Sequence, residues 1–154
     1  MSSRQRLDPL KTAPDGAAAL LNVEKYIQAS GLDHRLAMLM KMRASQINGC
    51  TYCLNMHSRE LRKMGETEER IYVLDGWRES SLYSPRERAA LAWTEAITRI
   101  AETRAPDADY EELRRHFSDK EIADLTLVVG MINLWNRLSI GLRVEYPAQP
   151  AKAA

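Results

Sequence analysis

The sequence predicts an all-α fold, a compact bundle of several helices that forms a single domain. Two observations indicate helices: apolar residues recur at three-to-four spacing, and capping residues stand where such segments start and stop. A third observation argues against a sheet. The run from Leu125 to Val129 could pass locally for a strand, but no second alternating run is present to pair with it.

Start and stop signals divide the first part of the chain into three predicted helices. Aspartates stand where the first two begin, and glycines stand where all three stop. The predicted spans are 15–31, 33–47 and 50–65. The turn-forming pair Asn48-Gly49 interrupts the chain just before Cys50, so the third helix carries two cysteines and a histidine on its first two turns.

Two capping boxes open the main helices of the second part. Ser84-Pro85-Arg86-Glu87 adds a proline at the first helical position, and Ser118-Asp119-Lys120-Glu121 repeats the box. The helix after the first box carries core-spaced residues: Ala89, Ala92, Trp93, Ala96, Ile97 and Ile100. The helix after the second is apolar on nearly every side, so part of its cover could come from a second subunit. Shorter helices are predicted at 68–76 and 110–117, and a loose tail after Tyr146.

Composition narrows the class of protein. The chain has 154 residues, 45% of them apolar, which predicts one domain over 1–154 with its core at about 15–146. With 22 basic and 21 acidic residues, the net charge of +1 gives no support to binding of nucleic acid or of a membrane surface. The start lacks the apolar run of a signal peptide, and we expect no later segment of membrane-spanning length. These features predict a cytoplasmic protein.

The chain has two cysteines, Cys50 and Cys53, three residues apart, too few for the disulfide framework of a small secreted domain. On a helix, Cys50, Cys53 and His57 share one face. His57 can take the thiol proton of Cys53 or hold its thiolate by charge, and the helix N-terminus favours a thiolate at Cys50. The spacing also allows a disulfide. The pattern predicts thiol redox chemistry that needs no metal or cofactor.

Two other interpretations of the cysteine pair stay open. The pair could be half of a zinc site, but zinc usually takes four ligands, and the chain adds only His57, with His34 and His116 elsewhere. A complete site would need a distant histidine, a carboxylate or a second subunit. Alternatively, both cysteines could be inert buried residues, with His57 satisfied by an ordinary core hydrogen bond.

Several neighbouring residues have a functional and a structural interpretation. Tyr52 could relay protons or simply pack as an aromatic. Glu95 could supply a carboxylate to the site, although a solvated or ion-paired surface glutamate is the simpler interpretation. The methionines Met38, Met40 and Met42 could fill the core or line a pliable pocket.

The stretch from Leu39 to His57 contains Asn-Gly-Cys-x-x-Cys-x-x-x-His. It resembles the alkylhydroperoxidase D-like branch of the carboxymuconolactone decarboxylase superfamily, and the likeness extends over roughly residues 30 to 145. This resemblance implies an all-helical fold assembled as trimers or hexamers that reduces hydroperoxides. It further implies that Cys53 attacks the peroxide, that Cys50 closes the disulfide and meets a dithiol reductant, and that His57 belongs to a proton relay.

The sequence departs from that family's relay at two positions: Met38 replaces a usual glutamate, and Tyr52 replaces a histidine. Glu95 or Glu87 on a later helix could substitute. The decarboxylase that names the superfamily acts on a lactone without a cysteine pair, so the intact motif favours a peroxidase over a decarboxylase-like lyase. A non-enzymatic alternative is a redox-responsive oligomer, in which the disulfide changes subunit contacts.

Overall fold

The structure, a computed structural model, describes residues 5–146, and the regular structure in this part of the chain is helical throughout. Its helices are α1 Pro9–Thr12, α2 Pro14–Ala29, α3 His34–Asn48, α4 Thr51–Lys63, α5 Glu68–Tyr72, α6 Pro85–Thr98, α7 Ile100–Thr103, α8 Asp107–Arg114 and α9 Asp119–Leu142. A single 3-10 turn, Leu74–Gly76, follows α5. The prediction of an all-α fold is confirmed. The loose tail predicted after Tyr146 lies outside the described residues.

Capping accounts for the helix boundaries that matter most for the site. Asp33 caps α3 by accepting hydrogen bonds from two amides of its first turn. The α3 helix then ends at Gly49, whose φ of 70° lies in the left-handed region that glycine adopts without a steric penalty. Both predicted capping boxes form, at Ser84 and at Ser118. These local signals place α3, α4, α6 and α9 as predicted.

Several boundaries differ from the prediction. The second helix starts at Pro14, so Asp15 lies in its first turn rather than capping it, and the short α1 precedes it. The backbone leaves the helical conformation at Arg99, which ends α6 at Thr98. Ile100 therefore begins α7 with 52% of its surface exposed and is not part of the core-facing stripe of α6. The helix predicted at 110–117 spans 107–114, and the one at 68–76 divides into α5 and the 3-10 turn.

The α3 helix occupies the centre and packs against α4, α6 and α9. One apolar cluster joins α3 to α2, α6, α8 and α9, with members such as Leu36, Met40, Trp93, Leu125 and Val128. A second cluster joins α3 to α4, α5 and α6. A third, small cluster contains Ala44, Cys50, Cys53 and Ile132. The cysteines therefore lie where the turn between α3 and α4 meets α9.

The α9 helix is long and apolar enough to cross a membrane by length and composition, with a window of mean hydropathy 1.3 that is 39% buried. Our expectation that no segment reaches that length was therefore wrong. The core helix of a soluble protein passes the same test, and α9 contributes buried Val128 and Val129 to the core. Leu127 is 43% exposed, so residues 5–146 leave one side of α9 uncovered. The cytoplasmic location stays a prediction.

Candidate functional site

The cysteine pair lies at the N-terminus of α4. Cys50 is the N-cap residue, and its sulfur accepts a hydrogen bond from the Cys53 amide at 3.3 Å. Behind it, the Cys50 amide donates to the Ser45 carbonyl at 3.0 Å, which closes the turn around Gly49. The two sulfurs lie close to disulfide distance, and the Cα atoms are 5.3 Å apart, within the range of natural disulfides. The geometry therefore allows a disulfide between Cys50 and Cys53.

Cys50, Cys53 and His57 are all buried, with 1%, 1% and 3% of their surfaces exposed. Ala44, Ile132 and the partly buried Trp135 pack around the sulfurs. A large reagent cannot reach them across an open surface. Access depends on the cavities that end at the pair.

Two cavities end there, and each contains a different cysteine. The Cys50 cavity has a volume of about 410 Å³ and is lined by Cys50, Thr51, Tyr52, Ser139, Arg143 and Glu145, among others. The Cys53 cavity has a volume of about 400 Å³, and its wall includes Cys53, His57, Met38, Met56, Trp135 and Leu138. Both volumes are sufficient for a small organic molecule. Most of the wall of the Cys53 cavity is apolar, although Lys41, Glu24 and Glu60 also line it, whereas the Cys50 cavity is about as polar as it is apolar.

His57 provides an unpaired nitrogen in the Cys53 cavity. Its Nδ1 lies 3.0 Å from the Met38 sulfur, and because a thioether can only accept, Nδ1 carries the hydrogen. Nε2 is then a hydrogen-bond acceptor, and it is buried without a partner among the described residues. Burial, with a further contribution from the Lys41 ammonium, lowers the pKa of His57 to about 3. At neutral pH the imidazole is uncharged, so it can accept a proton but does not hold a thiolate by charge.

A partly buried ion pair forms the polar part of the same cavity, and the sequence analysis missed it. Lys41 Nζ lies 2.6 Å from Glu24 Oε2, and Trp135 Nε1 donates to Glu24 Oε1 at 2.9 Å. Lys41 and Glu24 line the Cys53 cavity, as does Glu60. The sequence does carry a signal for Glu24. It lies four residues after Leu20, on the helix face that packs on the core, where a glutamate is expected to be at least partly buried.

The structure also locates the other relay candidates. Tyr52 lines both cavities. Glu95 is 8% exposed, so it is ion-paired as expected but not at the surface; it accepts from Arg43 Nε at 2.8 Å and Trp77 Nε1 at 2.8 Å. Glu87 closes its capping box and pairs with an arginine of α5. Neither glutamate lines a cavity of the cysteine pair, and their relay role stays a prediction.

A hydroxyl group that the sequence analysis also missed contacts Cys53. Ser139 Oγ lies 3.9 Å from the Cys53 sulfur.

Among the described residues, no group of three or more His, Cys, Asp and Glu side chains could hold a metal ion. His34 instead bonds to the Gln28 carbonyl, and His116 to Glu112. The arrangement around Cys53 thus consists of a paired thiol, a neutral imidazole and a serine.

Comparisons with known proteins agree with this geometry at the level of family and fold. Residues 14–96 match the Carboxymuconolactone decarboxylase family. YdfG of Bacillus subtilis, an uncharacterized protein, is 44% identical over 138 residues, which cover 90% of this chain and 94% of YdfG.

Solved structures show the same fold. A protein of unknown function from Agrobacterium tumefaciens, assigned provisionally to antioxidant defence as AhpD, has a TM-score of 0.92 at 46% identity, with 95% of this chain and 100% of that chain covered. The debrominase Bmp8 has a TM-score of 0.79 at 22% identity, with 90% and 75% covered. The likeness to Bmp8 shows the shared fold alone.

Proposed function

This chain belongs to the carboxymuconolactone decarboxylase family, and we propose that within this family it is a thiol-dependent reductase of organic hydroperoxides. One observation carries the proposal. Cys53 opens into a mostly apolar cavity that also contains the unpaired Nε2 of a neutral histidine, while Cys50 opens into another cavity. An organic hydroperoxide matches the first cavity, because its apolar group can pack on the wall and its O–H can donate to Nε2.

In the first step, the Cys53 thiolate attacks the terminal peroxide oxygen. The S–O bond forms as the O–O bond breaks, so Cys53 is oxidised to a sulfenic acid and the peroxide leaves as an alkoxide. His57 takes the thiol proton of Cys53 and delivers it to the alkoxide, which departs as an alcohol. The free Nε2 gives the proton a place to pass through, and the lowered pKa of His57 favours its onward release to the strongly basic alkoxide.

In the second step, the Cys50 thiol attacks the sulfur of the sulfenic acid. The disulfide forms and the hydroxyl group leaves with the Cys50 proton as water. The Cα separation of 5.3 Å, within the range of natural disulfides, supports this step. A dithiol reductant then attacks the Cys50 sulfur from the Cys50 cavity. It supplies two electrons and two protons and becomes a disulfide itself.

The direct test mixes reduced protein with one equivalent of cumene hydroperoxide and follows peroxide and free thiols together. We expect the parent to consume one equivalent of peroxide and to lose two thiols. Cys53→Ser should consume none. Cys50→Ser should still consume peroxide but stop at a sulfenic acid, which dimedone traps. Serine is a suitable replacement at position 50 because it is also a good N-cap residue.

Two results would contradict the proposal. Equal peroxide loss in the parent and in Cys53→Ser would show that Cys53 is not the attacking thiol. Absence of peroxide loss in the parent, with turnover of carboxymuconolactone that persists in a Cys50→Ser, Cys53→Ser double variant, would favour a lyase instead. A supplied dithiol distinguishes the enzyme from a redox-responsive oligomer, because only the enzyme turns over repeatedly.

A further inference from the structure

We propose that Ser139 is a further catalytic residue, whose hydroxyl donates a hydrogen bond to the Cys53 thiolate and stabilises it for attack on the peroxide. The inference rests on the proposed function, in which Cys53 is the attacking thiol. Ser139 touches the reacting atom, because its Oγ lies 3.9 Å from the Cys53 sulfur. It also lines both cavities, so it stands where they meet the cysteine pair.

The Ser139 hydroxyl is free to face the sulfur. Serine and threonine inside helices commonly donate to the carbonyl four residues earlier. Ser45, Thr94 and Thr126 do so here, each at 2.8 Å. Among the described residues Ser139 makes no such bond, and in its contact with Cys53 at 3.9 Å the sulfur is on the donor side and Oγ accepts, so the hydroxyl proton is not used. Its proton is therefore available to a thiolate.

Rigid contacts hold Ser139 in place. Asn136, one turn earlier on α9, is fully buried and accepts a hydrogen bond from Asn48 Nδ2 at 2.8 Å. Asn48 also donates to Asn133 at 3.0 Å. Because Asn48 directly precedes Gly49 and Cys50, these bonds tie the α9 face that carries Ser139 to the turn that carries the cysteines. The spacing between the hydroxyl and the sulfur is thus fixed by helices rather than by a loop.

The surroundings of Cys53 favour stabilisation of its thiolate by an uncharged hydrogen-bond donor. The charged and titratable groups that line its cavity are Lys41 on α3, Glu24 on α2, and Glu60, His57 and Tyr52 on α4. Lys41 is already paired with Glu24. The carboxylate of Glu60 disfavours another negative charge in the cavity, such as a Cys53 thiolate. His57 is neutral before it takes part in proton transfer, so it offers no positive charge to a Cys53 thiolate whose proton has gone to solvent. A hydrogen bond from a neutral hydroxyl to an anion is stronger than one between neutral groups, and Ser139 can supply it.

The test uses a Cys50→Ser background, in which Cys53 is the one remaining thiol. Thiolate formation is followed against pH by absorbance at 240 nm and by the rate of alkylation with iodoacetamide. Ser139→Ala should raise the midpoint of thiolate formation by about 1 pH unit, which is about a tenfold change in the ratio of thiolate to thiol. Ser139→Thr keeps a hydroxyl and should keep the parent midpoint.

Ser58→Ala is the matched control, because Ser58 lies on the same helix as Cys53 but donates to the Asn55 carbonyl at 3.1 Å. It should leave the midpoint unchanged. Coincident titration of Ser139→Ala and the parent would overturn the inference, and so would an equal rise in Ser58→Ala. This titration uses no peroxide, so its outcome is independent of the peroxidase test. The role of Ser139 can be contradicted while peroxide reduction is observed, and peroxide reduction can be absent while Ser139 lowers the midpoint.

Discussion

His57 combines deep burial with a group that ordinarily titrates near neutral pH. Its Nδ1 contacts a thioether and its Nε2 has no partner among the described residues, so nothing in its surroundings offsets the loss of water around a charged imidazolium. Burial is the larger cause of its lowered pKa, and Lys41 adds to it. The residue is therefore kept as a proton acceptor, at a cost in stability at acid pH.

This cost gives a prediction for His57→Gln. The pKa of His57 is about 3 in the folded protein, against 6.5 as the ordinary value. Between these values the unfolded chain binds one more proton, so the free energy of unfolding falls as the pH falls. One proton corresponds to about 1.4 kcal/mol per pH unit. Urea unfolding between pH 4 and pH 6 should therefore show a shallower pH dependence in His57→Gln than in the parent.

Ion-paired carboxylates such as Glu95 and Glu87, whose pKa values are lowered, also make the folded protein less stable in acid. That contribution is common to both proteins and cancels. The difference in slope between the parent and His57→Gln therefore isolates the contribution of His57. His116→Gln serves as the control, since His116 is only partly buried and lies beside Glu112, and it should retain the slope due to His57. Parallel curves for His57→Gln and the parent would contradict the prediction.

At the scale of elements, the site depends on how α9 meets the turn between α3 and α4. There the Asn48 side-chain amide donates to Asn133 Oδ1 and to Asn136 Oδ1, and Asn136 Nδ2 donates to Ser45 at 3.1 Å. In addition, Asn133 Nδ2 donates to Thr98 at the end of α6. This buried polar network stands within an otherwise apolar helix, where it holds three elements in register.

Asn48→Ala tests the network. It removes the donor to Asn136 Oδ1 and leaves that buried oxygen unpaired, which should cost about 1–3 kcal/mol of unfolding free energy. The same change should slow formation of the disulfide, because the turn before Cys50 loses its anchor. Asn55→Ala is the control on α4, and it should change the urea midpoint little. Equal midpoints for the two variants would show that the network does not support the turn.

Features that depend on neighbouring residues along the chain could be predicted from the sequence, whereas features that depend on contacts between helices could not. Asp33, Gly49 and the boxes at Ser84 and Ser118 act on their own backbone within a few residues, and the sequence was sufficient to place them. The face shared by Cys53 and His57 is likewise a property of one helix. Glu24 and Ser139 could not be placed in the site from the sequence, because their neighbours come from other helices. Only the packing of α2, α3 and α9 brings those side chains to Cys53.

At the scale of the whole molecule, α9 presents an apolar groove that the described part of the chain leaves open. The groove has a volume of about 610 Å³ and is lined by Ile97, Ile100, Leu134, Leu138 and Leu142, among others. Ile100 in its wall is 52% exposed, and Leu127, also on the surface of α9, is not part of the groove but is 43% exposed. Exposed apolar surface of this kind is typical of a subunit interface. The homo-oligomer expected from the sequence, a trimer or hexamer, stays a prediction.

Sedimentation of the parent and of Leu134→Glu tests it. The parent should sediment as an oligomer of the 17.5 kDa chain. Leu134→Glu should shift it to smaller species, because the interface would have to bury an unpaired carboxylate. Tyr72→Lys, at a position that is 71% exposed on α5, should sediment like the parent. A parent that is monomeric at all concentrations would contradict the expectation.

The separate cavities of the two cysteines also bear on kinetics. In a double-displacement cycle, both cosubstrates commonly share one binding space, so an excess of either blocks the other. Here each cysteine has its own cavity, and a peroxide that saturates one leaves the approach to the other open. In the proposed cycle neither cosubstrate would compete with the other, and a sudden rise in peroxide would leave regeneration by the reductant unimpeded.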